Sequence, residues 1–280
     1  THSFGWEANA AVELSRESIA ELINSNPEEI IFTSGATEAN NLAIMGTYLN
    51  LNDCSANIIT QSTEHKAVLD VCNKIEKKFN SKVKYVEPKK NGIVKLNDII
   101  NAIDENTCLI SIMFANNEIG VLQPIQEIGK ICNERNIIFH VDGAQALGKI
   151  NIDVKEMNID LLSLSAHKIY GPKGIGALYV KNKNLLESQI VGGSQELNLR
   201  AGTLPVHLIA GFGEAAKICR NIIKEESIKI LNLRNSLIHN ITKEYSNTIV
   251  NGSLKNRIAG NINFTFPFLN GKSIINKMPE

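Results

Sequence analysis

One lysine, Lys168, stands beside His167 in the stretch SLSAHKIYGPKGIGALYV (Ser163–Val180), where an apolar run leaves the core. Loop lysines are ordinarily solvated. Burial changes their chemistry: it disfavours the charged ammonium, and a lysine so treated is a nucleophile able to form a Schiff base. Asp142 in HVDGAQ also ends an apolar run, one strand–connection–strand earlier. An aspartate there either caps a helix or holds a protonated pyridine nitrogen. His65 in STEHKAV is either an ordinary loop histidine or a face on which an aromatic ring stacks. TSGATEANN follows a third apolar run, with Gly35 for the turn and a helix from about Thr37. Free backbone N–H groups and the helix dipole favour an anion there, although Thr37 in a plain capping box also suits the pattern.

A lysine that captures an aldehyde, an acid for a ring nitrogen, a stacking face and a phosphate cradle are together what pyridoxal phosphate requires. The elements that must position these groups alternate. EIIFTSG precedes helical ATEANNLAIMGTYL, ANIITQS precedes TEHKAVLDVCNKIEKKF, and KVKYVEP precedes LNDIINAIDE. CLISIMFAN, helical PIQEIGKICNERN, IIFHVDG, IDLLSLS and GIGALYV follow, the last two joined by an expected tight loop. This rhythm predicts an α/β fold, a mostly parallel sheet with helices on both faces. Ligands of such sheets sit outside the carboxyl ends of the strands. The polar clusters Ser34–Thr37, Glu64–His65, Asn116–Asn117, Asp142–Gln145 and Ser165–Lys168 all fall at expected strand ends. From Val206 one long helical stretch, an NGS turn and alternating GNINFTFPF predict a second, smaller domain. The expected division is 1–205 for the large domain and 206–280 for a linking helix and part of a small α+β domain.

Composition narrows the function classes. The 280 residues are 43% hydrophobic and 21% charged, with a formal net charge of zero. A neutral chain offers no electrostatic case for nucleic acid or an anionic membrane. No apolar run approaches the roughly 20 residues of a transmembrane helix. Cys54, Cys72, Cys108, Cys132 and Cys219 are scattered, with no C-x-x-C pair, so neither a disulfide framework nor a metal site is expected. They read as small structural residues in a reducing compartment, the cytoplasm or a mitochondrial matrix.

The stretches THSFGWEA, TSGATEANNLAI, STEHKAVLDVC, ANNEIGVLQPI, HVDGAQALGK, SAHKIYGPKGIGALYV and RAGTLPVHLIAG resemble the cysteine desulfurases, class V aminotransferase-like enzymes of the fold-type I pyridoxal phosphate group. The resemblance implies that Lys168 carries the cofactor, Asp142 pairs with the pyridine nitrogen, and His65 stacks on the ring and shuttles protons. It implies that Gln145 and Asn117 contact the ring oxygen and the substrate, and that Ala36, Thr37, Ser165 and His167 hold the phosphate. Thr203 would reach the phosphate of a second copy, so a homodimer is implied. The implied reaction converts L-cysteine to L-alanine and leaves the sulfur as a persulfide on an enzyme cysteine. That sulfur feeds iron–sulfur scaffold or other acceptor proteins and tRNA thiolation. A selenocysteine lyase, an aminotransferase, or a non-catalytic remnant that only dimerises or binds partners are the alternatives. The family's nucleophilic cysteine lies in a Ser/Gly-rich loop after the strand that NINFTFPF resembles. The sequence ends at INKMPE, before that loop and before the family's C-terminal arginine, and it starts after the family's usual first segment. The expectation is a portion of a longer enzyme, or a remnant of one, inactive alone. VGGSQELNLRAG departs from the family's glycine- and arginine-rich version, with Leu197 at a commonly basic position beside Arg200.

Overall fold

The computed structural model describes residues 2–51 and 56–277. Cys54 lies outside the described residues. Helix α1 (Ser3–Ile23) leads into β1 (Ile30–Thr33) and α2 (Ala36–Leu51). Next come β2 (Asn57–Gln61), α3 (Lys66–Phe79), β3 (Val83–Val86), α4 (Leu96–Ala102), β4 (Thr107–Met113), α5 (Ile125–Glu134), β5 (Ile138–Asp142), β6 (Leu161–Ser165) and β7 (Gly176–Val180). The long helix α6 (Val206–Glu244), the short strands β8 (Ile249–Val250) and β9 (Phe264–Thr265), and α7 (Gly271–Ile275) complete the described chain.

The first seven strands form one sheet in the order β1-β7-β6-β5-β4-β2-β3. Pairing is parallel from β3 through β6, and β7 alone runs the other way, antiparallel to both β6 and β1. The carboxyl ends of the other six strands therefore share one edge. Successive strand residues alternate between two cores, as the period of two requires. Ile30, Phe32, Ile110, Phe139, Val141 and Leu162 pack with α1, α4, α5 and α6. Ile31, Ile58, Leu109, Leu161 and Leu178 pack on the opposite side, under α2 and α3. The expected α/β sheet with helices on both faces is what forms.

Helix α3 shows why these segments are helical. Val68, Val71, Cys72 and Ile75 fall on one stripe and are buried, while its lysines and acids face out. Helix α5 passes so close to the connection after β5 that a Cβ on Gly129 would stand 1.9 Å from the Met157 carbonyl oxygen. Only glycine fits that crossing.

Two local expectations change. The join between β6 and β7 is not a simple tight loop. It opens with a 3-10 turn over Ala166–Ile169, closed by Tyr170 in the left-handed region at φ 63°. GNINFTFPF is not a continuous strand. Only Phe264–Thr265 pairs, with Ile249–Val250, while Asn261 and Asn263 turn their side chains to the Glu118 carbonyl. The segment is thereby fastened to the loop after β4, where Leu122 N donates to Asn256 O and Ile258 N to Gly120 O, each at 3.0 Å. No described helix is long and apolar enough to cross a membrane.

Candidate active site

A cavity of about 470 Å³ opens at the shared carboxyl edge of the sheet. Its wall is built from five strand ends. β1 and the start of α2 bring Ala36 and Thr37; the turn after β2 brings His65; the loop after β4 brings Asn117. β5 brings Asp142 and Gln145, and β6 brings Ser165, His167 and Lys168. Thr203 does not join them: it is exposed, outside this cavity.

Asp142 ends β5 and is 6% exposed. Its Oδ2 accepts from Asn40 Nδ2 at 2.8 Å and its Oδ1 from the Ala144 N–H at 3.0 Å. Among the described residues no lysine or arginine lies within ion-pair distance of it. Burial pushes its pKa up; the two hydrogen bonds and the positive influence of His65 and Lys168 oppose the shift. A buried carboxylate held only by neutral donors is well matched to a cationic ring N–H arriving from the cavity.

Lys168 lies in the 3-10 turn after β6, the strand that pairs with β5 and sets Ser163 in register with Asp142. The Ser165 hydroxyl and His167 Nδ1 are 3.0 Å apart. Burial, then the charges of Lys168 and Lys173, lower the His167 pKa. His65 is the N-cap of α3, its Nδ1 accepting from the Ala67 N–H at 3.1 Å. That bond leaves the neutral ring's proton on Nε2.

The expected anion cradle falls at the start of α2, on the cavity wall. Gly35 has φ 150°, and a Cβ on Gly176 would fall 2.6 Å from the Gly35 Cα. The turn can bend past β7 only because both positions are glycine. Thr37 is not the cap, since α2 already begins at Ala36; Glu38 in the first turn reaches back to accept from the Ser34 N–H at 2.8 Å. A carboxylate in the first turn would compete with a bound anion, but Arg200 Nε holds Glu38 Oε1 at 2.8 Å. Burial raises the Glu38 pKa, yet the Arg200 and Ser34 bonds outweigh it and hold the carboxyl below its usual range. Arg200 keeps this place despite the unusual segment before it. That segment, Glu196–Asn198, is a turn of three successive left-handed residues at φ 46°, 58° and 66°.

Several neighbours of the cavity wall carry no signal in the sequence pattern. Asn40 sits in the buried stripe of α2, and Lys149 Nζ donates to Gln145 Oε1 at 2.9 Å. That bond takes the amide oxygen and leaves the Gln145 NH₂ free for the cavity. Burial, then the charge of Lys168, lowers the Lys149 pKa. Beneath the site His140, on the same face of β5 as Asp142, is fully buried between the Ser111 and Ser163 hydroxyls at 2.8 and 2.9 Å. Glu64, buried behind the His65 turn, is the least expected of them.

The family model of the class-V aminotransferases matches residues 1–279. The chain belongs to the aminotransferase class-V family. Within it, "Cysteine desulfurase IscS" of Ehrlichia chaffeensis is 51% identical over 278 residues, 98% of this chain and 68% of that protein. The Plasmodium falciparum protein of the same name is 50% identical over 286 residues, all of this chain and 52% of its own length. The chain thus spans about two thirds of the one relative and about half of the other. Among solved structures a "NIFS-LIKE PROTEIN" superposes with a TM-score of 0.94 at 34% identity, over 99% of this chain and 75% of that one. "SspA in complex with cysteine" superposes with a TM-score of 0.85 at 40% identity, over 99% and 76%. Class-V aminotransferases of the desulfurase type use pyridoxal phosphate. The residues present fit that group: an amine, an acid without a cation, a histidine face and a helix N-terminus all border one cavity.

Proposed function

We propose that the chain is the cofactor-binding portion of a pyridoxal-phosphate-dependent cysteine desulfurase. The observation that carries this reading is Asp142, a buried carboxylate without a cationic partner on the wall that Lys168 also lines. Lys168 would hold the cofactor's aldehyde carbon, and Asp142 its ring nitrogen as N–H⁺. His65 would cover the ring, and Gln145, oriented by Lys149, would offer its NH₂ to the ring oxygen, with Asn117 beside it. Ala36, Thr37, Ser165 and His167 would surround the phosphate. When bound, the cofactor supplies an electron sink for the substrate's α-carbon. The protein's own part is to fix the ring, keep its nitrogen protonated and present proton carriers at Lys168 and His65.

The substrate favoured by the family members named above is L-cysteine, and the product would be L-alanine with sulfur passed to a thiol. Cys72, Cys132 and Cys219 are buried, and burial raises all three thiols, the first two to about 12. Thiols held that far up are not thiolates at neutral pH. Cys108 donates to the Asn57 carbonyl at 3.2 Å, away from the cavity. The sulfur acceptor would therefore be a thiol other than these four. Exposed Thr203 would serve the phosphate site of a second copy, making a homodimer, and an iron–sulfur scaffold or another acceptor protein would take the sulfur onward.

The test is to reconstitute the chain with pyridoxal phosphate and titrate it with L-cysteine and L-aspartate while recording absorbance. The expected result is a cofactor band that shifts with L-cysteine at far lower concentration, with no persulfide mapped to Cys72, Cys108, Cys132 or Cys219. An equal response to both amino acids, or a persulfide on one of the four, contradicts the reading.

A further inference from the structure

Behind the cavity wall, and not lining it, Glu64 bridges two segments that carry ligand-facing groups. The β2–β4 ladder ends at Thr60 and Ser111. Past that point the chain turns away through Ser62 and Thr63, so the Met113 N–H, on the β2 side of β4, loses its backbone acceptor. Glu64 Oε1 takes its place, accepting from Met113 N at 2.6 Å and from Gln61 Nε2 at 2.8 Å. On the other side of β4 the Phe114 N–H donates to the Asp142 carbonyl at 2.9 Å, and Met113 is the register partner of Asp142. A second stitch joins the same segments: Asn116 Nδ2 donates to Thr63 O at 3.2 Å, while its Oδ1 accepts from Glu118 and Ile119. The residue after Glu64 is His65, and the segment it grips leads through Ala115 to Asn117, both on the cavity wall.

We propose that Glu64 is a positioning residue of this site, a carboxyl that completes the β4 ladder and locks the His65 turn to the Asn117 loop and to Asp142 without touching the ligand.

The chemistry of the spot suits a neutral acid. Glu64 Oε2 is buried with no hydrogen-bond partner, and so is Gln61 Oε1. Burial, reinforced by the nearby Asp142, drives the Glu64 pKa well above the carboxylate range, against the bonds from Met113 and Gln61. Two buried carboxyls that feel each other's charge favour a single ionisation. Asp142, with hydrogen bonds to both oxygens and His65 and Lys168 near, is the better place for it. A glutamine, isosteric and neutral, therefore keeps what Glu64 does, whereas a shorter acid does not reach Met113.

The cofactor readout rests on the function proposed above, so the test has one arm that does not. In the cofactor-free chain, amide hydrogen exchange of residues 113–119 is measured in the parent, E64Q, E64D and E64L. Protection should match the parent in E64Q and fall at least tenfold in E64D and E64L. In the second arm, pyridoxal phosphate affinity and the induced circular dichroism of the bound cofactor are measured. E64Q should stay within threefold of the parent, and E64D and E64L should weaken binding at least tenfold with a smaller induced signal. A parent that binds no cofactor counts against the proposed function alone, since the exchange arm still decides the clamp. Should E64L not fold, E64Q against E64D carries the comparison. E64D or E64L with parental exchange over 113–119, or E64Q as impaired as E64D, overturns the assignment of Glu64.

Discussion

Asn40 Nδ2 donates to Asp142 Oδ2 at 2.8 Å, tying helix α2, whose first turn lines the cavity, to the acid at the end of β5. One helix thus borders the cavity at its first turn and grips Asp142 one turn further on. N40A should leave the buried carboxylate one donor short. Loss of one partner of a buried charged group costs roughly 1–3 kcal/mol. Urea unfolding of the cofactor-free chain should show that loss. A variant as stable as the parent would mean that Asp142 is not held this way.

A second buried polar link reaches further along the chain. Arg16 of α1 holds Glu196 Oε1 at 2.8 Å, and Glu196 Oε2 also accepts from Phe32 N at 2.6 Å. The pair anchors the left-handed turn that precedes Arg200. Removing one member of a buried pair strands the other, at a cost of roughly 3–5 kcal/mol, whereas replacing both by apolar residues can be nearly neutral. R16M should therefore be much less stable than the R16M/E196L double variant. Chemical denaturation measures both, and equal stabilities would show that Glu196 does not depend on Arg16.

Much of this arrangement is legible in the sequence, and the limits have physical causes. The alternation of apolar runs and helical stripes marks β1 to β7 and α2 to α5, because each buries a face that its own spacing reveals. The strand-end polar clusters reveal the cavity wall for the same reason: groups of that kind do not end buried strands by folding alone. Helix α1 is less visible, since Ser15 and Arg16 interrupt the buried stripe of Val12, Ile19 and Ile23. The sheet order, with β7 reversed between β1 and β6, is a long-range outcome that no local pattern encodes. Glu64 reads as an ordinary turn acid because its burial is decided by Met113, far along the chain. Arg16–Glu196 and Asn40–Asp142 escape notice for the same reason.

The acid limb of stability should carry the signature of His140. Burial lowers its pKa to about 3, so the folded chain keeps the imidazole neutral where the unfolded chain takes up a proton. With the folded value below the unfolded one, stability is full above the ordinary histidine range. It falls as pH drops below about 6.5, by at most ~1.4 kcal/mol per pH unit from this group. H140N should flatten that slope between pH 6 and pH 4. Thermal melts across this range provide the measurement, and an unchanged slope would place the acid sensitivity elsewhere.

The central claim is that Lys168 and Asp142, on adjacent strand ends, hold one pyridoxal ring between them. Absorbance spectra of the purified chain after incubation with pyridoxal phosphate and removal of the excess test it most directly. The account predicts a Schiff-base band near the visible edge in the parent, none in K168A, and in D142A a band whose response to pH differs from the parent's. A colourless parent, or a K168A variant that keeps the same band, would contradict it.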